Sequence, residues 1–220
     1  LISNICGISS ITSGNISVSG FDVVDDFREA RKCIGIVPQE LNIDAFFTPK
    51  DQLELQAGLF NVPKKDRVTD YILELMELTD KANEYSRKLS GGMRRRLLVA
   101  KAMVHNPPII ILDEPTAGVD VELRKDMWKT IKNLQKSGVT IILTTHYIEE
   151  AEEIADRVGI INNGKIILVD EKKKLIQKLG QKILKIELSE PIQLIPNALE
   201  NFKLQLNNEK NILIFEELLN

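Results

Sequence analysis

The stretch Ile109-Ile110-Ile111-Leu112-Asp113-Glu114-Pro115 decides the fold. Its four apolar, largely β-branched residues read as a strand buried on both faces, the kind found in parallel sheets, and Pro115 stops it. Val139 to Leu143 reads as a second buried strand, and Ile34-Gly35-Ile36-Val37 as a shorter one stopped by Pro38. Helical patterns lie between and around them. Leu97, Leu98, Ala100, Met103 and Val104 follow Gly92 and end before Asn106-Pro107-Pro108; residues 121–136 end at Ser137-Gly138; Ile148 to Ala155 forms another helix. Strands alternating with helices predict an α/β domain with a mainly parallel sheet. Residues of about 40–105 break that alternation with helices only, one starting near Asp51 with Leu53, Leu55, Leu59 and Phe60, another carrying Val68, Ile72, Leu75, Met76 and Leu78. That segment reads as a helical subdomain.

Outward from this centre the signals weaken. Leu1, Ile2, Ile5 and Cys6 have helical spacing, while Ile16 and Val18 alternate with polar residues between two turns, as in a half-exposed antiparallel strand. Asn162-Asn163-Gly164 between Val158–Ile161 and Lys165–Val169 is a hairpin signal. After Gly180 the character changes: residues 183–188 alternate like a strand, Asn207 to Lys210 reads as a polar turn, and Ile212 to Phe215 is a short apolar run. The division expected is residues 1–180 as one domain and 181–220 as a C-terminal accessory segment that is incomplete.

Of the 220 residues, 43% are hydrophobic and 28% charged, as in ordinary globular chains. A net charge of −3 argues against nucleic acid as a partner. Cys6 and Cys33 are far apart and near no pair of histidines, so neither a zinc site nor a disulfide framework is indicated, in keeping with a reducing cytoplasm. No apolar run approaches the roughly 20 residues that span a bilayer.

Carboxylates at the C-terminal end of a parallel strand lie where open α/β sheets bind ligands. Asp113 there suits Mg²⁺, and Glu114 suits orienting or deprotonating an attacking water. Ser90-Gly91-Gly92 opens a helix; two glycines let the backbone approach a ligand, and the free N–H groups of a helix start attract phosphate. Taken alone the tripeptide is an ordinary N-cap; its place just upstream of the Asp113 strand favours the phosphate reading. His146 follows a strand through Thr144-Thr145, where a neutral imidazole can bond a terminal phosphate and water. The other histidine, His105, ends a helix beside Asn106-Pro107 and is expected to complement the helix dipole or lie in solvent. Gln39, after Pro38, can serve a metal or water from a movable loop. Arg94-Arg95-Arg96 and Lys172-Lys173-Lys174 read as solvated helix faces.

Together these residues resemble the ATP-binding subunits of ABC transporters. Leu89-Ser90-Gly91-Gly92 is similar to the family signature, Ile109 to Glu114 to the Walker B strand, Ala117-Gly118-Val119-Asp120 to the D-loop, Val37-Pro38-Gln39-Glu40 to the Q-loop, and His146 to the switch histidine. Leu-Ser-Gly-Gly-Met-Arg-Arg-Arg, Glu-Pro-Thr-Ala-Gly-Val-Asp and Thr-Thr-His-Tyr-Ile-Glu-Glu-Ala resemble in particular the bacterial type 2 exporter ATPases of multidrug, lipid and polysaccharide efflux. The resemblance covers about residues 1–180. It implies a P-loop NTPase (RecA-like) fold with a helical ABC subdomain. It also implies an ATPase using ATP and Mg²⁺, and a homodimer or heterodimer of ATP-binding subunits. The partner implied is a separate membrane permease, with the subunit peripheral on the cytoplasmic face of the inner membrane. Glu114, His146 and Gln39 would be catalytic, Asp113 and Gln39 would serve the metal, and Ser90, Gly91, Gly92 and Asp120 would bind nucleotide across the dimer. The segment after Gln39, with Phe46, Phe47 and Pro49, would press on the permease.

Two departures stand out. Met93 occupies a position where many members have Gln. The Gly-x-x-x-x-Gly-Lys-Ser/Thr loop is not among these residues, and Leu1 to Ile5 resembles the helix just after it. The expectation is therefore a chain that starts past that loop, lacks the P-loop strand, and by itself neither binds nor hydrolyses ATP. The competing readings are a soluble ABC ATPase not involved in transport, and an interaction protein that has lost its ATP site.

Overall fold

A computed structural model describes residues 1–179, 181–190, 192, 194–196, 199, 204–206 and 212–218. The proposed turn at Asn207 to Lys210 and the change at Gly180 lie outside them. The chain forms two compact units, Leu1–Ile154 and Ala155–Asn220.

The first unit begins with helix α1 (Ile2–Ile5), a small antiparallel ladder of β1 (Ser17–Val18) and β2 (Phe21–Asp22), and helix α2 (Phe27–Lys32). Strand β3 (Ile34–Val37) leads into helices α3 (Pro49–Leu59), α4 (Thr69–Leu75) and α5 (Gly91–Met103). Strand β4 (Ile109–Asp113), helix α6 (Val121–Lys136), strand β5 (Thr140–Thr144) and helix α7 (Ile148–Ile154) complete it. The sheet runs β3-β4-β5, all parallel, with Val37 opposite Leu112 and Asp113 opposite Thr144. The expected α/β architecture is present, and β3 and β4 are buried as expected. Strand β5 departs from expectation, because it lies at the edge of this sheet among the described residues and its residues are partly or fully exposed, Ile142 at 38%.

The strand alternation explains the layers. Ile110 and Leu112 face a large core with Leu53, Leu73, Leu97 and Ile131, whereas Ile111 faces a smaller one with Val18, Ala30 and Ile34. Two-sided burial of β4 is what its unbroken apolar run requires. Helix starts follow local chemistry. Thr48 and Asp51 form a reciprocal capping box ahead of α3, with Pro49 at its first position. Ser90 caps α5 by accepting the Met93 N–H at 3.3 Å, and Asp120 caps α6 by accepting the Leu123 N–H at 2.9 Å.

Particulars differ from the sequence reading. Helix α3 buries Pro49, Gln52, Leu53 and Ala57, leaving Leu55 and Leu59 exposed. Helix α2 has no strong apolar stripe and escapes a periodicity search. Between residues 41 and 108 the chain holds helices and turns only.

In the second unit, β6 (Arg157–Asn162) and β7 (Lys165–Glu171) pair as the expected hairpin, with Asn163 (φ 48°) and Gly164 (φ 73°) both left-handed at the turn. Helix α8 (Lys172–Leu179) follows. A three-stranded antiparallel sheet has the order β8 (Gln181–Glu187), β10 (Ile212–Leu218), β9 (Gln205–Leu206).

Candidate functional site

The C-terminal ends of three parallel strands deliver three loops to one carboxylate. Glu114, directly after β4, accepts a hydrogen bond from Gln39 Nε2 at 3.0 Å on Oε2. Its Oε1 lies 3.3 Å from His146 Nδ1. Gln39 follows β3 and His146 follows β5, so the sheet's parallel register makes this meeting possible. The Glu114 backbone has φ 45°, a left-handed conformation that costs a non-glycine residue free energy and must be held by its surroundings.

Thr144 holds that conformation in place. The Glu114 N–H donates to the Thr144 carbonyl oxygen (3.2 Å) and Oγ1 (3.0 Å), and the Thr144 hydroxyl donates to Asp113 Oδ1 at 2.5 Å. One side chain at the end of β5 thereby orients both acidic residues at the end of β4. The sequence reading used Thr144 only as a spacer before His146; its register opposite Asp113 carries the missing signal.

Asp113 keeps Oδ2, and Gln39 keeps Oε1, without a hydrogen bond among the described residues. These are hard oxygen donors of the kind Mg²⁺ takes alongside phosphate and water, and Mg²⁺ needs only one or two protein ligands. No group of three or more His, Cys, Asp or Glu residues gathers as a full protein cage among the described residues. The donor set fits a phosphate-bound Mg²⁺ and does not fit a structural zinc.

Ser90, Gly91 and Gly92 lie at the start of α5 with no hydrogen bond to the Gln39–Glu114–His146 group among the described residues. A Cβ built on Gly91 meets nothing within 4 Å, so its backbone faces open space. At Gly92 the same atom falls 2.9 Å from Leu123 Cδ2, which fits close approach of α5 and α6. Asp120 turns its carboxylate onto α6 as a cap.

Arg95 corrects the reading of residues 94–96 as a solvated face. Its side chain is buried (7% exposed), donating from Nη1 to the Gln39 carbonyl oxygen at 2.6 Å and from Nη2 to that of Ala117 at 3.4 Å. Burial pushes its guanidinium pKa down. Helix α5 is thus fastened both to the Gln39 loop and to the loop after Glu114. His105 also departs from expectation. Its ring stacks on Phe60 with centroids 3.8 Å apart, Nε2 lies 3.0 Å from the Ile34 carbonyl oxygen, and Nδ1 is buried without a partner. Burial lowers its pKa, opposed by the Ile34 bond. It takes no part in the cluster. Pro49 is buried at the start of α3, whereas Phe46 and Phe47 are exposed (72% and 44%).

The segment around His146 has its own supports. The Tyr147 N–H donates to Thr145 Oγ1 at 3.0 Å, and the Arg124 guanidinium sits 4.1 Å from the Tyr147 ring centre. Arg124 Nη2 also reaches the Val119 carbonyl oxygen at 3.4 Å, joining the loop before α6 to the loop after β5.

Comparison with known proteins gives the family. The family model described as ABC transporter matches residues 1–117. The linearmycin resistance ATP-binding protein LnrL of Bacillus subtilis (strain 168) is 38% identical over 182 residues, covering 81% of this chain and 58% of that one. The Nod factor export ATP-binding protein I of Burkholderia thailandensis is 38% identical over 191 residues, covering 86% and 63% respectively. The chain therefore spans about three-fifths of the length of these curated relatives. Among solved structures, CbiO1 from Clostridium perfringens, part of the ABC transporter complex CbiONQ, superposes with a TM-score of 0.71 at 26% identity, covering 80% of this chain and 72% of that one. The ATP-binding cassette MJ0796, a dimer in a post-hydrolysis state bound to ADP and Pi, gives a TM-score of 0.64 at 25% identity, covering 78% of each chain. With its parallel sheet ending in Asp113-Glu114 and its loops converging on that pair, the chain belongs to the ABC transporter ATP-binding family.

Proposed function

We propose that this chain is part of an ATP-binding and ATP-hydrolysing subunit of an ABC exporter, working as one half of a dimer of such subunits. The observation that carries the reading is the convergence of Gln39 and His146 on the two oxygens of Glu114. Within a pair, Ser90, Gly91 and Gly92 of one subunit would donate to the γ-phosphate held by the other, using the free N–H groups at the start of α5. Asp113 and Gln39 would hold Mg²⁺, which when bound neutralises charge on the phosphates. Glu114 would take a proton from the attacking water as the water oxygen bonds to the γ-phosphorus and the bond to the bridging oxygen breaks. His146 would hold the γ-phosphate beside Glu114, and Asp120, at the head of α6, would couple the two sites. Catalysis of this kind rests on positioning and electrostatics.

Both curated relatives described above are named for export or resistance, which supports a transport role. No helix among the described residues is long and apolar enough to cross a membrane. A separate membrane permease would supply the pathway, with this subunit peripheral on the cytoplasmic face. Exposed Phe46 and Phe47, on the segment after Gln39, are the contact we assign to it. Residues 1–180 would form the ATP-binding domain and 181–220 the accessory segment. The arrangement around Glu114 disfavours a protein that has lost its ATP site.

The metal assignment has a direct check. With Mn²⁺ in place of Mg²⁺ in an ATP-bound dimer of the whole subunit of which this chain is proposed to be part, Asp113→Asn is expected to weaken ATP-dependent Mn²⁺ binding, read by electron paramagnetic resonance, by about 10-fold or more. Unchanged Mn²⁺ binding would remove Asp113 from the site.

A further inference from the structure

Glu150, on α7, is a completely buried acidic side chain (0% exposed) that no step above uses. Its Oε1 accepts the Thr116 Oγ1 hydroxyl at 2.9 Å and the Trp128 Nε1–H at 3.0 Å, while Oε2 has no hydrogen-bond partner. Thr116 is itself buried and stands two residues after Glu114; Glu150 stands four after His146. Trp128 belongs to α6. One oxygen therefore joins the loop that carries Glu114 to the helix that follows His146.

The energetics argue against a purely stabilising role. A buried acidic group with an unsatisfied oxygen is costly, and a well-packed apolar replacement is often neutral or favourable for stability. What an apolar side chain does not supply is a directional bond to Thr116. Glu114 benefits from such a constraint: its left-handed backbone is held by Thr144 on its N–H and by the Ala117 N–H, 3.1 Å from its carbonyl oxygen, and Thr116 sits inside that turn.

We propose that Glu150 is a positioning residue, which through Thr116 fixes the loop carrying Glu114 against the segment carrying His146. Trp128 secures the same carboxylate oxygen from α6. The inference rests on the reading of Glu114 as the group that acts on water. It makes the spacing of Glu114 and His146 a property of the Thr116–Glu150 link as well as of the sheet.

The test separates position from stability. ATP turnover and thermal melting of the dimer of whole subunits, each containing these residues, are measured for Thr116→Val, Trp128→Phe, Glu150→Gln and Glu150→Ala, with Glu114→Gln alongside. Thr116→Val is nearly isosteric and removes the bond to the loop; its kcat is expected to fall about 10-fold or more, with KM for ATP within about twofold. Trp128→Phe removes the bond to α6; it is expected to lower the melting temperature while leaving kcat within about threefold. Glu150→Gln, which keeps an acceptor oxygen, should retain more turnover than Glu150→Ala. Should Glu150→Ala fail to fold, the two single-donor variants still decide. Equal loss of melting temperature in both with no change in kcat would make Glu150 purely structural and overturn the proposal. If Glu114→Gln leaves turnover intact, the reading of Glu114 fails and takes the proposal with it.

Discussion

In the whole subunit of which this chain is proposed to be part, Glu114→Gln is expected to lower ATP turnover about 10²- to 10⁴-fold, the range for removing a positioned general base. The substitution keeps size and shape and leaves an oxygen to accept the Gln39 Nε2–H. It removes the group that would take the proton from water. Because ATP itself is held by other residues on this reading, KM should change little while kcat collapses. A dimer of whole subunits carrying the substitution on both sides should therefore hold ATP long enough to be isolated by size exclusion. Steady-state phosphate release checks the first point and nucleotide content of the dimer peak the second. A kcat within about threefold of the starting enzyme would mean that the Gln39–Glu114–His146 group is a structural lock.

The second large effect arises far from the chemistry. A Cβ built on Gly35 falls 2.3 Å from the Ala102 carbonyl oxygen, 3.1 Å from its carbonyl carbon and 3.1 Å from Pro107 Cγ. Two of those three atoms are backbone, so no side-chain rotation relieves the clash. Glycine is required at this position by close approach of β3 to the end of α5. Gly35→Ala is expected to destabilise the protein by about 3 kcal/mol or more. That corresponds to a melting temperature lower by roughly 10 °C. The same displacement would move β3, which ends at Val37, and with it Gln39 two residues on. Turnover should fall even at temperatures where the variant is folded. Chemical denaturation checks the first expectation; a variant with unchanged stability would show that β3 and α5 are not in such close contact at Gly35.

The central strand, its carboxylates and the hairpin at Asn163-Gly164 were legible because a single local rule governs each. Four apolar residues before two acids leave few options for β4, and a left-handed pair at a two-residue turn selects Asn-Gly. Arg95 and Glu150 were not legible as members of charge runs, because a run hides the helical rotation between neighbours. Arg95 shares its stripe with Leu98 and Ala102, three and seven residues on, and all three are buried. Glu150 shares its face with Ile154, four residues on, which is buried as well, while Glu149 points outward. Asking which face each charge occupies would have separated both from their exposed neighbours. Thr144 was missed for a different reason. Its role depends on strand register, and register opposite Asp113 is fixed by the sheet and not by adjacent residues. For His105 the stacking partner, Phe60, is distant in sequence, which no local pattern announces.

The most direct test of the central claim uses Gly91. Its Cβ position is open, so Gly91→Leu adds bulk where a γ-phosphate from the opposite subunit would approach without disturbing the chain's own packing. The chain is mixed with an intact ABC subunit whose catalytic glutamate has been replaced by glutamine, and trapped Mg-ATP is counted per dimer. The account predicts trapping in the mixture that falls about 10-fold or more with Gly91→Leu, as expected when close approach of donor N–H groups to a charged phosphate is blocked, while the melting temperature of the chain is retained. Trapping that is indifferent to Gly91→Leu, in a variant that folds normally, would contradict it.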